Sequence, residues 1–368
     1  MAPSKRLSSN LKSTAVTLKA VAEHVGLTPG TVSAVLNDSP SARSIPQETK
    51  NRIHAAAKEL NYRPNFFART LRNKRTYTIG VIAEEIGDSY GSMVISGIEA
   101  HLRKMDYFFL TVAHRHDENL LSQYSQLLQQ RGVEGFITVD TTVREAPALP
   151  TVAVAGHQKV KGVTNVVLDH VQAATLALNH LARLGHKRIA FMKGNPLSSD
   201  SNDRWKAISE VAQKIGLRID PELTVQIDID DPTPQLGYPF AKQLLARNKP
   251  FTALFAYNDI SAIGAIRALQ EHGLRVPQEV SVMGFDDIPS AAFNTPTLTT
   301  VRQPLARMGQ VAAQTLLERL AGKNDYPSEI AIEPELVVRE STAKAPDALG
   351  AMIKSDRAGL RGSESEAG

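Results

Sequence analysis

The spacing of apolar residues changes character once along this chain. Up to about residue 62 apolar positions recur at helical intervals in short bursts. Beyond residue 77 they gather into near-continuous runs that alternate with longer amphipathic stretches. In the first region, Leu18, Val21, Ala22 and Val25 share one helical face behind a Thr17 cap, and Gly26 closes the run. A second short helix is predicted over 28–37, with Thr28 as N-cap, Pro29 at the first helical position, and Val32, Val35 and Leu36 facing inward. A third is predicted over 46–60 through Thr49, Ile53, Ala56, Ala57 and Leu60. Two short helices joined by a tight glycine turn make a helix-turn-helix unit, whose second helix enters a DNA major groove.

The second region predicts strands at 78–83, 107–113, 135–140, 150–155, 187–194, 224–229, 251–259 and 280–287. Helices are predicted between them at about 90–104, 118–131, 170–184, 201–215, 235–247 and 260–272. Apolar strands separated by helices imply parallel sheets covered on both faces. Two such sets in tandem imply a bilobed α/β body with a ligand cleft between the lobes.

Charge sharpens this division. Residues 1–76 hold 13 Lys and Arg against 4 Asp and Glu, whereas the remainder holds 29 against 34. A basic segment on an acidic body points to a polyanionic partner. A solubilising tail has the same charge, and only the helical pattern favours DNA. The chain has no cysteine, so disulfides, thiolate nucleophiles and cysteine zinc sites are excluded. With no secretory leader pattern and no membrane-length apolar run, a cytoplasmic protein is expected. No glycine-rich phosphate loop occurs.

Between the regions lies NYRPNFFARTLRNKRT, 61–76. Pro64 breaks the third helix, and Asn65 is placed to cap a short helix carrying Ala68 and Leu71. An exposed Leu71 beside two phenylalanines suits a wedge pushed into the minor groove. The stretch VTLKAVAEHVGLTPGTVSAVLN, followed by LNYRPNFFARTL, resembles the Lac repressor family, and the resemblance runs from about 16 to 341. It implies a small all-α headpiece at 16–62 and a hinge helix and linker at 63–76. A periplasmic-binding-protein-like core with two parallel sheets is implied at 77–342, flanked by disordered ends at 1–15 and 343–368. Lobe 1 would take about 77–168 and 303–330, and lobe 2 about 169–302 and 331–341. The tail has no leucine heptads, so a homodimer reading a pseudo-palindromic operator is implied.

The resemblance puts DNA contacts on Thr17, Thr28, Pro29, Gly30, Thr31, Ser33, Ala34 and Asn37, and on Asn65, Ala68 and Leu71 of the hinge. Pro29, Gly30 and Ala34 stand where relatives carry base-reading side chains, and none can form a bidentate bond to a base. More weight on the hinge and on DNA deformability is expected.

Effector contacts are sought at strand ends. Asn258 and Asp286 end two strands, and they serve equally as a helix cap and a turn former. Adjacent Asp259 and Asp287 read as cap and turn residues. The resemblance assigns Asn258 and Asp286 to the cleft, with Arg204, Gln303 and Tyr90, and places an aromatic wall near Pro232. This set suits a neutral polyhydroxylated ligand, a sugar, with a nucleoside or base as the alternative. Trp205 reads as a core residue or a sugar platform. His114 and His116 of HRHD have no further metal ligand in sight, and Asp117 suits a helix cap. Glu84–Glu85 reads as a surface feature. No cofactor, metal or catalytic residue is expected. A carbohydrate transport receptor and an enzyme on the same bilobed fold are the rival readings, neither with a supporting motif.

Overall fold

The computed structural model describes residues 16–37, 39–62, 75–145, 148–156, 158–229, 231, 233–323 and 325–346. The chain divides into two compact units, 1–76 and 77–368. Among the described residues no helix is long and apolar enough to cross a membrane.

In the first unit, α1 (Leu18–Val25), α2 (Pro29–Leu36) and α3 (Gln47–Glu59) enclose a core of Val21, Val32, Val35 and Ile53. The local signals act as sequence chemistry dictates. Thr17 accepts a hydrogen bond from the Ala20 amide at 3.2 Å, and Thr28 accepts one from the Thr31 amide at 3.2 Å. Gly26 adopts φ 67°, the left-handed conformation that ends α1 without a Cβ clash. Pro46 is the extended residue before α3 rather than its first helical one.

The second unit opens with β1 (Thr78–Ala83), α4 (Ser89–Lys104), β2 (Phe108–Ala113), α5 (Glu118–Gln130), β3 (Phe136–Val139), β4 (Thr151–Val154) and β5 (Val163–Leu168). It continues with α6 (His170–Arg183), β6 (Ile189–Lys193), α7 (Ser199–Lys214), β7 (Thr224–Gln226), α8 (Tyr238–Ala246), β8 (Ala253–Phe255), α9 (Asp259–Glu271) and β9 (Ser281–Asp286). It ends with β10 (Thr299–Arg302), α10 (Leu305–Leu320), β11 (Glu329–Ile332) and β12 (Glu335–Val337). One sheet has the order β11-β5-β4-β3-β1-β2 and the other β12-β10-β9-β8-β6-β7. Every pairing is parallel except that of β10 with β12. The chain passes from the first sheet to the second after β5, returns after β10, and passes again between β11 and β12.

Strands β5, β10, β11 and β12 go unpredicted by the patterning. The polar residues of β5 and β10 hide them. Thr164 in β5 donates to the Pro327 carbonyl at 2.7 Å, and Thr300 in β10 donates to Asp259 at 2.6 Å. Each is fully buried because a distant segment supplies its partner. Strands β11 and β12 are short and lie at sheet edges. Helix α10 does show helical spacing at Leu305, Met308, Ala312 and Leu316, so its absence from the expected elements has no physical reason. The expected strand over 251–259 shortens to Ala253–Phe255 because Asn258 caps α9.

Helices α4 and α10 meet backbone to backbone, packed against the first sheet in one shared core. A Cβ at Gly97 would overlap the Ala306 carbonyl, and one at Gly309 would overlap the Val94 carbonyl. Glycine at these two positions therefore sets how closely the helix following the return crossing seats on the first lobe.

Candidate effector cleft and DNA-reading face

A cavity of about 360 Å³ opens where the carboxyl ends of both sheets face each other. The first lobe contributes Glu84 and Glu85 after β1, Tyr90 of α4, His116 after β2, and Asp140 after β3. The second contributes Asp200 and Arg204 of α7, Tyr257 and Asn258 after β8, and Asp286 at the end of β9. Ligands of open α/β folds bind at this edge because strand ends and helix starts present polar groups there. Arg115, His116, Asp140 and Asp286, all lining the cavity, have φ of 48°, 60°, 46° and 110°. Such backbone is rare outside glycine and recurs where a site over-determines its residues.

Arg204 is 4% exposed and lies at the centre of the second lobe's wall. Its Nη2 donates to Asp200 Oδ2 at 2.5 Å and its Nη1 to the Tyr257 carbonyl at 2.7 Å. The guanidinium carbon sits 3.8 Å from the Phe285 ring centroid and 4.7 Å from that of Tyr257. Burial opposes its charge, but Asp200 and then Tyr257 and Asp286 outweigh burial, so its pKa rises. A side chain on Gly194 would run into the Tyr257 ring, so glycine there lets the ring take this position. Asp200 also meets His170 Nε2 at 3.0 Å.

Asn258 does both things that its position allows. Its Oδ1 accepts the Ser261 amide at 2.9 Å in a capping box, and it lines the cavity, so Nδ2 is the group it can offer a ligand. Asp286 is 4% exposed and accepts from Gln303 Nε2 at 2.6 Å. Gln303, expected among the ligand contacts, is 1% exposed and lies behind Asp286, so it orients that carboxylate instead of lining the cavity. Buried polar atoms of the site that make no hydrogen bond among the described residues include Tyr90 Oη, Asp140 Oδ1, Arg204 Nε and Gln303 Oε1. Pro232 lies outside the described residues.

Burial raises the carboxylates. It lifts Asp286 to about 7, against the opposing pull of Arg204 and Gln303. It lifts Asp88 to about 6, against the Gly91 amide that this cap residue accepts. Asp140 is held well above the ordinary carboxylate range by burial, then by Glu84 and Asp200.

Several residues singled out in the sequence prove structural. Asp259 is no helix cap. It is fully buried, taking the Thr300 hydroxyl at 2.6 Å and the Ile288 amide at 2.8 Å, and so ties α9 to β10. Asp287 pairs with Arg302 and Arg339, each at 2.7 Å. Trp205 packs edge-on to Phe191 with centroids 5.8 Å apart. In HRHD, His114 meets Thr141 at 3.0 Å, His116 meets Glu84 at 2.9 Å, and Asp117 caps α5.

Sequence reasoning missed Asp140, Asp200 and Tyr257, and it placed Glu84 and Glu85 on an ordinary surface. The spacing of Asp200 and Arg204, one helical turn apart, was a usable signal. Asp140 ends a strand just as Asp286 does, so the same strand-end rule reaches it.

In the DNA-reading unit, Thr17, Thr28, Pro29, Gly30 and Asn37 are exposed, while Thr31 and Ser33 are half-buried. Asn37 Nδ2 donates to the Ser33 carbonyl at 2.8 Å, closing α2. Ala34 departs from expectation: it is 6% exposed and belongs to the three-helix core, which removes its methyl group from the reading surface. Asn65, Ala68 and Leu71 lie outside the described residues.

These two units, a capped helix-turn-helix and a two-lobed α/β receptor, define a ligand-responsive DNA-binding protein class. Residues 17–65 match the model of bacterial regulatory proteins of the lacI family, and residues 178–342 match that of a periplasmic binding protein-like domain. The HTH-type transcriptional repressor PurR of Haemophilus influenzae is 32% identical, with 88% of this chain and 98% of that protein covered. The PurR of Erwinia tasmaniensis is 33% identical over 90% and 98%. Among solved structures, the Lac repressor dimer bound to operator and the anti-inducer ONPF superposes with a TM-score of 0.79 at 25% identity, covering 89% of this chain and 99% of that one. The complex of the transcriptional regulator CelR with cellobiose superposes at 0.65, with 26% identity and coverage of 89% and 99%. A LacI family regulator from Enterococcus faecium with bound ribose gives 0.65, with 26% identity and coverage of 73% and 100%. The chain belongs to the lacI family of bacterial regulatory proteins; it is a transcriptional repressor with a periplasmic-binding-protein-like ligand domain, not an enzyme.

Proposed function

We propose that this repressor acts as a homodimer on a pseudo-palindromic operator and that a sugar in the cleft sets its operator affinity. The observation that carries the effector reading is the set of polar groups turned into one cavity from both lobes: Arg204, Asn258 and Asp286 from one, Tyr90 and Asp140 from the other. Sugar hydroxyls both donate and accept, and this set answers both roles. The cellobiose and ribose bound by two solved relatives support a sugar. A nucleobase is the second reading, favoured by the Tyr90 and Tyr257 rings in the same cavity.

A ligand that touches both lobes shifts the balance between open and closed forms by its differential affinity for them. Lobe movement then alters the spacing of the two hinge segments, where Asn65, Ala68 and Leu71 take the minor groove. Thr17, Thr28, Pro29, Gly30, Thr31, Ser33 and Asn37 form the major-groove and phosphate-contacting face. The full chain, titrated into genomic DNA fragments with and without a panel of sugars and nucleosides, tests this. Salt-sensitive binding that one cleft ligand shifts, and that Arg204→Ala no longer shifts, is expected. Operator binding indifferent to every polyol and nucleoside would count against it.

A further inference from the structure

The cavity holds more carboxyl groups than its own cations answer. Asp200 is paired with Arg204 at 2.5 Å, Glu85 with Arg115 at 3.4 Å, and Glu84 with His116 at 2.9 Å. Asp88 caps α4 through the Gly91 amide, and Asp231 accepts the Thr233 amide at 2.8 Å. Two carboxylates remain, one on each lobe. The Asp140 side chain makes no hydrogen bond and no ion pair among the described residues, and its Oδ1 is buried. Asp286 receives only the neutral Gln303 amide. Both line the cavity, and no lysine does. Arg204, 4% exposed with its Nε unpartnered beside them, is already matched by Asp200, so its charge is not spare.

Buried carboxylates without a cation are destabilising, and proteins retain them where a bound cation completes the site. We infer that the effector carries a protonated amine beside its hydroxyls, as an amino sugar or another aminated polyol does, and that Asp140 and Asp286 receive the ammonium from the two lobes. The inference rests on the cleft being the effector site, and it makes the cation the element that spans the lobes. Arg204 Nε and Tyr90 Oη then serve the ligand's hydroxyl and ring oxygens. A ligand bearing a carboxylate or phosphate is disfavoured by the same excess charge.

Matched pairs that differ only by amine for hydroxyl test it: D-glucosamine against D-glucose, D-galactosamine against D-galactose, and D-mannosamine against D-mannose. Thermal stabilisation of the full chain at pH 7 and release or retention of DNA fragments are both read. At least one amine should bind tenfold or more tightly than its parent, and Asp140→Asn or Asp286→Asn should abolish that preference. The asparagine variants keep side-chain size and remove a buried carboxyl group that no cation answers, so their ligand-free melting temperature should not fall. A parent sugar that binds as well as its amine, or an amine preference that survives both variants, overturns the inference while leaving a sugar-binding cleft intact. No response to any compound overturns the amine and speaks against the effector reading as well.

Discussion

Arg204 and Asp200, one turn apart on α7, form a buried pair at 2.5 Å that is also the floor of the cleft. The pair is 5% exposed on each side chain, so neither charge is relieved by water when the other is removed. Breaking a buried pair by removing one partner costs about 3–5 kcal/mol. Asp200→Asn should therefore lower the stability of the core by that order in urea unfolding and abolish the effector response. Arg204→Met, which removes the guanidinium that Asp200 pairs with, should do the same. The double variant should recover much of the stability but none of the response, and recovery of both would contradict a binding role for the pair.

The raised carboxylates fix how stability depends on pH. Asp286 holds its proton in the folded state up to about 7 and Asp88 up to about 6, whereas in the unfolded chain both release it near 3.8. The ordinary sign for a paired carboxylate is thus reversed. Their stabilising contribution is fully present below 3.8 and is lost as pH rises through the folded values. The ligand-free core should lose stability between about pH 4 and 7, by up to about 1.4 kcal/mol per pH unit for each proton concerned. Chemical denaturation across this range reads the slope, and Asp286→Asn should flatten its upper part. A core that gains stability over the same interval would show that these carboxylates are not buried as described.

Much of this site was legible in the chain, and what was missing has a physical cause. The capped helices of the headpiece were readable because Thr17, Thr28 and Gly26 act on neighbours within a few residues. Asp259, Thr300 and Gln303 were not assignable, because each owes its role to a partner far away in sequence. The excess charge of the cleft was least visible of all. Glu84, Asp140, Asp200 and Asp286 lie at or beyond the carboxyl ends of four different strands, and only the meeting of the two sheets makes them neighbours.

The α4–α10 contact gives a packing test remote from the cleft. A methyl group at Gly97 would overlap the Ala306 carbonyl, and backbone cannot swing aside as a side chain can. Overpacking of this kind typically costs about 1–3 kcal/mol and occasionally more. Gly97→Ala should lower the denaturation midpoint and loosen the seating of α10 on the first lobe. Gly30 is the control, since a Cβ there meets nothing nearer than Thr28 Oγ1 at 3.8 Å. Gly30→Ala should leave the headpiece as stable, or more stable by about 0.5–1 kcal/mol, because glycine is the poorer helix former. Equal losses in the two variants would refute the close-approach argument.

Operator recognition should divide unequally between the major groove and the hinge. Pro29 and Gly30 are exposed at the start of α2 but present no donor or acceptor side chain, and Ala34 is buried in the headpiece core. No bidentate contact to guanine or adenine can come from these three positions. The wedge proposed at Leu71 would act by unstacking a base step, and its value would depend on how readily that step deforms. Truncating it should therefore weaken operator binding at least tenfold, about 1.4 kcal/mol, and reduce DNA bending. Gly30→Ala should change affinity far less, because no side chain there is lost. A fluorescence-anisotropy titration at fixed salt, paired with a bending assay on permuted fragments, separates the two. Should Leu71→Ala bind and bend its operator as the parent chain does, the wedge reading is wrong, and specificity must come from other base or DNA-shape contacts, since phosphate contacts position the headpiece without reading sequence.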